Sequence, residues 1–156
     1  MSGLIDSVGS RSGIIGSTEI PGGYEEGAWT PQFHATGGES SQGYDDQQGT
    51  YVKIGKWVNC QFFIDMNTEG TFTGNITLNL PFATSPNSFP TIGNGGPFYW
   101  QDSGGSFIYF TLQMGASTTR AYLWSKSSST TSREYPGATD LSDTTIMSGT
   151  FGYYIA

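Results

Sequence analysis

The most restrictive feature of the sequence is a strict alternation of apolar and polar residues just after the pair Gly55-Lys56. Every second position of segment 57–64 is apolar on one side, at Val58, Cys60, Phe62 and Ile64. Successive side chains of a β-strand point to opposite faces, so this spacing predicts a strand with one buried face. With residues 51–54 before the turn, the segment predicts a β-hairpin.

The same alternation recurs further along the chain. Segment 107–114 predicts a second strand, whose inward face comprises Ile108, Phe110, Leu112 and Met114. Residues 121–124 are expected to pair with it, residues 145–155 predict a final strand, and the polar, glycine-rich residues 36–49 predict a loop. Seven or eight such strands without a helical pattern predict an all-β protein, an antiparallel β-sandwich of jelly-roll type.

The composition agrees with a strand-and-turn protein of one domain. The chain has 156 residues, of which 23 are glycine and only 12% are charged. This length predicts one domain, which we place at residues 24–156, preceded by an arm at residues 1–23.

The net charge excludes two classes of partner. The formal net charge is −7, which repels nucleic acid and anionic lipid, so neither nucleic acid nor a membrane is expected as a partner.

Cys60 is the one cysteine and is expected to be a small core side chain, without an internal disulfide. No signal peptide is expected, because the first residues lack a cationic and an apolar region.

The first 23 residues differ from the rest in carrying apolar side chains within a glycine- and serine-rich stretch. A free linker gains nothing from such side chains, so we expect them to be buried against something. Either they are buried against another subunit, in which case the arm is an anchor, or the arm folds onto its own domain. The candidate anchor residues are Leu4, Ile5, Val8, Ile14 and Ile15.

Several strands carry large apolar groups on both faces, although a sandwich buries only one face of each sheet. Self-association would bury the surplus, and long loops of the same chain are the alternative. The candidate subunit-interface residues are Trp57, Phe63, Phe107 and Tyr109.

Catalytic and metal-binding patterns are weak. His34 is the one histidine, and a zinc site needs three or four ligands of the His and Cys type. The acidic pairs Glu25-Glu26 and Asp45-Asp46 are expected to be solvated charges, with a glycosidase pair or a weak calcium site as alternatives. We therefore expect no enzyme activity, no metal site and no cofactor.

Aromatic residues near predicted loops offer a binding hypothesis. Trp100 and Trp124 could stack on sugar rings, although packing in the core or at an interface would use the same residues. They are the candidate glycan-binding residues.

Three blocks of the chain resemble a domain found in virion proteins of tailed bacteriophages. They are YEEGAWTP at 24–31, GTYVKIGKWV at 49–58 and ITLNLPF at 76–82. A closing block, Gly149-Thr150-Phe151, has phenylalanine where that family has tyrosine. The resemblance implies a homotrimeric β-sandwich in the virion, assembled in the host cytoplasm and sited at a fibre tip, a head fibre or the capsid surface, without required enzyme activity.

Two function hypotheses follow, with a glycan hydrolase a distant third. The first is a non-enzymatic virion structural protein, for capsid decoration or as an accessory fibre, attached through its arm. The alternative is a fibre-tip module that binds a host receptor or surface carbohydrate for host attachment.

Overall fold

The structure is a computed structural model that describes residues 23–86, 93–96, 98–127 and 132–156. The described residues form twelve strands and a 3-10 turn at Ala138–Asp140. The strands are β1 (Tyr24–Trp29), β2 (Phe33–Ala35), β3 (Glu39–Ser40), β4 (Gly43–Ile54), β5 (Trp57–Thr68), β6 (Thr71–Phe72), β7 (Ile76–Asn79), β8 (Gly93–Gly95), β9 (Tyr99–Gln101), β10 (Phe107–Met114), β11 (Arg120–Ser127) and β12 (Ile146–Tyr154). The prediction of an all-β protein is confirmed.

Ten of these strands form one antiparallel sheet. Its order is β1-β4-β5-β12-β8-β10-β11-β7-β2, and β9 pairs with β12 beside β8. The short strands β3 and β6 form a separate pair. Because β8 joins β12 to β10, the large sheet has two halves, β1-β4-β5-β12 and β10-β11-β7-β2.

The two halves pack face to face around one core, as a β-sandwich does. The predicted face of β5 is buried, with Val58, Cys60 and Ile64 fully inaccessible. The backbone N–H of Phe33 in β2 donates to the Tyr44 hydroxyl of β4 at 3.2 Å, so the two ends of the sheet meet. The prediction of an antiparallel sandwich is therefore confirmed.

The β4–β5 hairpin is the longest element and was only half predicted. Its turn falls at Gly55, whose φ of +61° favours glycine. The prediction of a loop over residues 36–49 holds only for residues 36–38 and 41–42, because Glu39–Ser40 form β3 and β4 already begins at Gly43 and pairs with β5. This ladder satisfies the backbone of residues 43–49 and so overrides their low intrinsic strand preference.

The strand at 107–114 is confirmed, but one of its predicted inward residues is not inward. The β10–β11 register shifts between Phe107 and Tyr109, and Ile108 is 53% exposed. A bulge at this point adds one residue and reverses the alternation before it. Phe107 consequently turns inward and packs on Phe110, with 4.8 Å between ring centroids.

The chain enters the domain beside the β4–β5 turn. Gly55 N–H donates to the carbonyl oxygen of Gly23 at 2.8 Å, and β1 then pairs with β4 from Tyr24 onward. The predicted anchor residues Leu4, Ile5, Val8, Ile14 and Ile15 lie outside the described residues, so that assignment stays a prediction. No helix in the described part of the chain is long and apolar enough to cross a membrane.

Candidate functional site

The outer face of β10 and β11 is covered in part by the same chain. Trp124 is only 7% exposed, because the Tyr135 ring lies 3.8 Å from it and the Arg133 guanidinium carbon 4.0 Å from it. Two backbone hydrogen bonds between Ser125 and Glu134, of 2.9 and 2.8 Å, hold this covering segment in place. In this half of the sandwich, a segment of the same chain therefore covers outer apolar side chains, which was the alternative to self-association.

No other described segment covers the outer face of β1, β4, β5 and β12, which we call the open face. One line of side chains runs across all four strands, because consecutive members are cross-strand partners in the ladder. We call this line the apolar row: it consists of Tyr24, Ile54, Trp57 and Tyr154.

The apolar row is well exposed in the described structure. The exposed fractions are 58% for Tyr24, 47% for Ile54, 37% for Trp57 and 55% for Tyr154. The Trp57 and Tyr154 rings meet edge to face, with centroids 4.9 Å apart. Directly opposed side chains on a sheet are in contact, so the row is one continuous apolar strip rather than scattered residues.

Two of the acidic residues beside the row point to opposite faces, as predicted for adjacent strand positions. Glu26 accepts a hydrogen bond from the Tyr24 hydroxyl at 2.7 Å on the open face. Glu25 lies on the other face, where it pairs with Lys53 Nζ at 2.6 Å and accepts from the Tyr51 hydroxyl at 2.7 Å. The Lys53 and Tyr51 hydrogen bonds lower the pKa of Glu25.

Beyond the next ladder pair, Val52 and Asn59, the middle of the open face is polar. Thr50 is the ladder partner of Gln61, which is also the partner of Thr150, and all three are exposed. We call Thr50, Gln61 and Thr150 the polar row. Asn59 lies between the two rows, one step along β5.

Two members of the polar row, Thr50 and Gln61, lie in a shallow depression. Three hollows of about 410, 440 and 220 Å³ adjoin here, and Thr50 lines all three. The small side chains of Ala28 and Thr50 leave this space between larger neighbours.

The four predicted interface residues lie in three places: two on the open face, one on β10 and one against the core. Trp57 belongs to the apolar row, and Phe63 lies half-buried on the open face as the partner of Ser148. Tyr109 is half-buried in β10, as the partner of Lys126 in β11. Phe107 packs against the core through the bulge, which the sequence pattern could not reveal.

The two predicted glycan-binding tryptophans are not brought together. Trp100 packs against the core, with its ring 5.4 Å from that of Phe110. Its neighbour Tyr99 pairs with Ser148 on the open face and is 58% exposed. Trp124 offers little free surface, since Tyr135 and Arg133 lie against it.

The histidine and the second acidic pair have local partners. His34 Nδ1 lies 2.6 Å from Glu39 Oε1, while the other Glu39 oxygen accepts from the Ala35 N–H at 3.0 Å. Asp45 accepts from Asn67 at 2.6 Å, and Asp46 from Gln48 at 2.7 Å. Among the described residues, no three His, Cys, Asp or Glu side chains form a group that could hold a metal.

Cys60 is a core side chain, as predicted. It is fully inaccessible, and burial raises the pKa of its thiol to about 12.

The fold defines the chain as an antiparallel β-sandwich, and its described residues leave an apolar strip exposed on the open face. No known protein-family model matches the chain, and no curated protein matches it. Among solved structures it is similar to the Dettilon tailspike protein (gp208), with a TM-score of 0.64 and 13% sequence identity. The match covers 83% of this chain but only 23% of that chain. At this identity the likeness is one of fold, to a domain-sized part of a larger tailspike.

Proposed function

We propose that this chain is a non-enzymatic structural protein of a bacteriophage virion, which self-assembles through the apolar row of its open face. The observation that carries the proposal is the apolar row, which crosses four strands and has no cover within the described residues. A contiguous exposed apolar strip marks an interaction site more often than scattered apolar residues do.

The virion assignment has two supports. The sequence blocks at 24–31, 49–58 and 76–82 resemble tailed-phage virion proteins, and the fold is similar to part of a tailspike. The finer assignment that we propose is a homotrimer used for capsid decoration or as an accessory fibre, with residues 1–23 as its attachment to other virion proteins. A symmetric assembly would place the same strip of each copy at the interface.

Two measurements test this proposal. Size-exclusion chromatography with light scattering should give the mass of an oligomer, and three times 16.8 kDa for a trimer. Particles assembled with a chain lacking residues 1–20 should contain little of the protein, although the truncated chain still oligomerises. A monomeric full-length protein would contradict self-assembly, and normal incorporation of the truncated chain would contradict the anchor.

A second candidate function, host attachment as a receptor- or carbohydrate-binding fibre tip, is favoured by the depression around the polar row. It is compatible with a structural role, since a virion protein can both assemble and bind.

A further inference from the structure

We propose that the polar row, together with Asn59, is a binding site for a neutral oligosaccharide. This inference rests on the second candidate function, host attachment, and names its ligand class; it does not depend on the structural role or on the position of the protein in the particle.

The first argument is a set of unused hydrogen-bonding groups. Thr50, Gln61, Thr150 and Asn59 are exposed, and no hydrogen bond joins their side chains to another described residue. Hydroxyls and amides each offer both donors and acceptors. A sugar presents hydroxyl groups of the same double character, so this set matches it.

The second argument is shape. The three hollows around Thr50 turn this part of the sheet into a depression, which extends from Ala28 on β1 to Gln61 and Phe63 on β5. The line from Ala28 through Thr50 to Gln61 crosses three strands, or about 10 Å at the usual strand spacing, and Thr150 on β12 continues it by about 5 Å beyond the hollows. A ligand of a few linked sugar rings fits along such a line.

The third argument is an aromatic border on the side of the depression away from the apolar row. Phe63, which lines the depression, and Tyr99 are both ladder partners of Ser148, and Tyr99 is 58% exposed. Aromatic rings with one accessible face are suited to the apolar C–H face of a sugar ring.

The fourth argument is charge, which selects neutral over acidic glycans. Among the described residues that line the three hollows there is one acid, Glu26, and no lysine or arginine. Lys53 lies on the other face and is paired with Glu25. The net charge of −7 further disfavours an anionic ligand, because no cation here offsets the repulsion.

Self-association through the apolar row leaves this site open. Thr50 lies four residues along β4 from Ile54, a distance of about 13 Å in an extended strand. A second copy packed on the row can therefore border the depression without filling it.

The test uses the full-length protein and a defined glycan panel. Neutral oligosaccharides of hexoses and N-acetylhexosamines are compared with sialylated and uronic-acid oligosaccharides, by saturation-transfer NMR and titration calorimetry. We expect binding to members of the neutral set, and an affinity about tenfold lower for Gln61→Ala and for the near-isosteric Thr50→Val. Gln113→Ala is the matched control, because Gln113 lies on β10 in the other half of the sandwich and should leave binding unchanged.

Three results would overturn the proposal. They are the absence of binding to every neutral oligosaccharide at about 10 mM, tighter binding of the acidic set, or equal affinities for Gln61→Ala and Gln113→Ala. Light scattering on the same samples separates the two proposals, because a failed glycan site with an intact oligomer leaves the structural role standing.

Discussion

Trp57 and Tyr154 are direct cross-strand partners on β5 and β12, and their rings pack edge to face with 4.9 Å between centroids. Both nevertheless remain exposed, at 37% and 55%. The pair is therefore suited to the centre of an interface, because aromatic side chains that a neighbour already holds in place lose little conformational entropy when a partner covers them.

The first prediction concerns the apolar row. Ile54→Glu should weaken self-association at least tenfold, because it places a charge where the partner would bury 47% of an isoleucine. Light scattering over a dilution series measures the change. Ile108→Glu is the control, since Ile108 is 53% exposed but lies on β10, outside the row. Equal effects of the two variants would contradict the assignment of the interface to the open face.

The second prediction concerns Gly49. A Cβ at Gly49 would lie 2.6 Å from Trp29 Nε1 and 2.7 Å from the Trp29 carbonyl oxygen, so Gly49→Ala must displace backbone. We expect a loss of about 1–3 kcal/mol in the free energy of unfolding, measured in urea. Gly96→Ala, which meets nothing within 4 Å, should be neutral or slightly stabilising. A neutral Gly49→Ala would mean that β1 does not pack on β4 as described.

The third prediction concerns Tyr153, which is fully buried. Its hydroxyl donates to the Phe82 carbonyl and accepts from the Phe82 N–H, both at 3.1 Å. Tyr153→Phe leaves both Phe82 groups without this partner and should cost about 1–3 kcal/mol of stability. The adjacent Tyr154→Phe should cost little, because that ring is on the open face; urea denaturation of both variants provides the comparison.

The fourth prediction is a pH dependence at Glu39. The Ala35 N–H, and then His34, hold the pKa of Glu39 below its ordinary value of 4.5. The stabilisation that ionised Glu39 contributes to folding is therefore fully present above the unfolded-state pKa of Glu39. It is lost as the pH falls through the lower, folded-state pKa. Glu39→Gln should accordingly destabilise the protein at about pH 6, by less than about 1 kcal/mol, and have a smaller effect near pH 3.

Glu69→Gln is a control variant, because the pKa of Glu69 is shifted in the opposite direction to that of Glu39. Burial, with a contribution from Asp143, raises the pKa of Glu69, so its ionised form disfavours folding. Glu69→Gln should not reproduce the loss of stability at about pH 6. The assignment fails if unfolding in urea shows the same pH profile for both variants.

The sequence predicted the strands whose inward side chains alternate without interruption. Val58, Cys60 and Ile64 are buried as expected, and residues 121–124 pair with β10 as expected. The start of β4 was missed because Gly43 and its polar neighbours are ordered by pairing with β5, which local composition does not encode. Ile108 was misplaced because one bulge reverses the alternation, and no turn residue marks it.

The open face could not be predicted as a unit. Tyr24, Ile54, Trp57 and Tyr154 are each single apolar residues in their own strands, and only the sheet order makes them neighbours. Trp57 alone was identified as surplus apolar surface. The polar row arises in the same way, since Gln61 gains its two threonine neighbours from β4 and β12.

The hydrogen bond from Gly55 to Gly23 also determines how force would enter the domain. A pull on residue 23 along the axis of β1 would strain all six β1–β4 residue pairs, from Tyr24–Ile54 to Trp29–Gly49, at the same time. Such a pull loads these pairs together and not one after another, so the first strand would share the tension along its whole length.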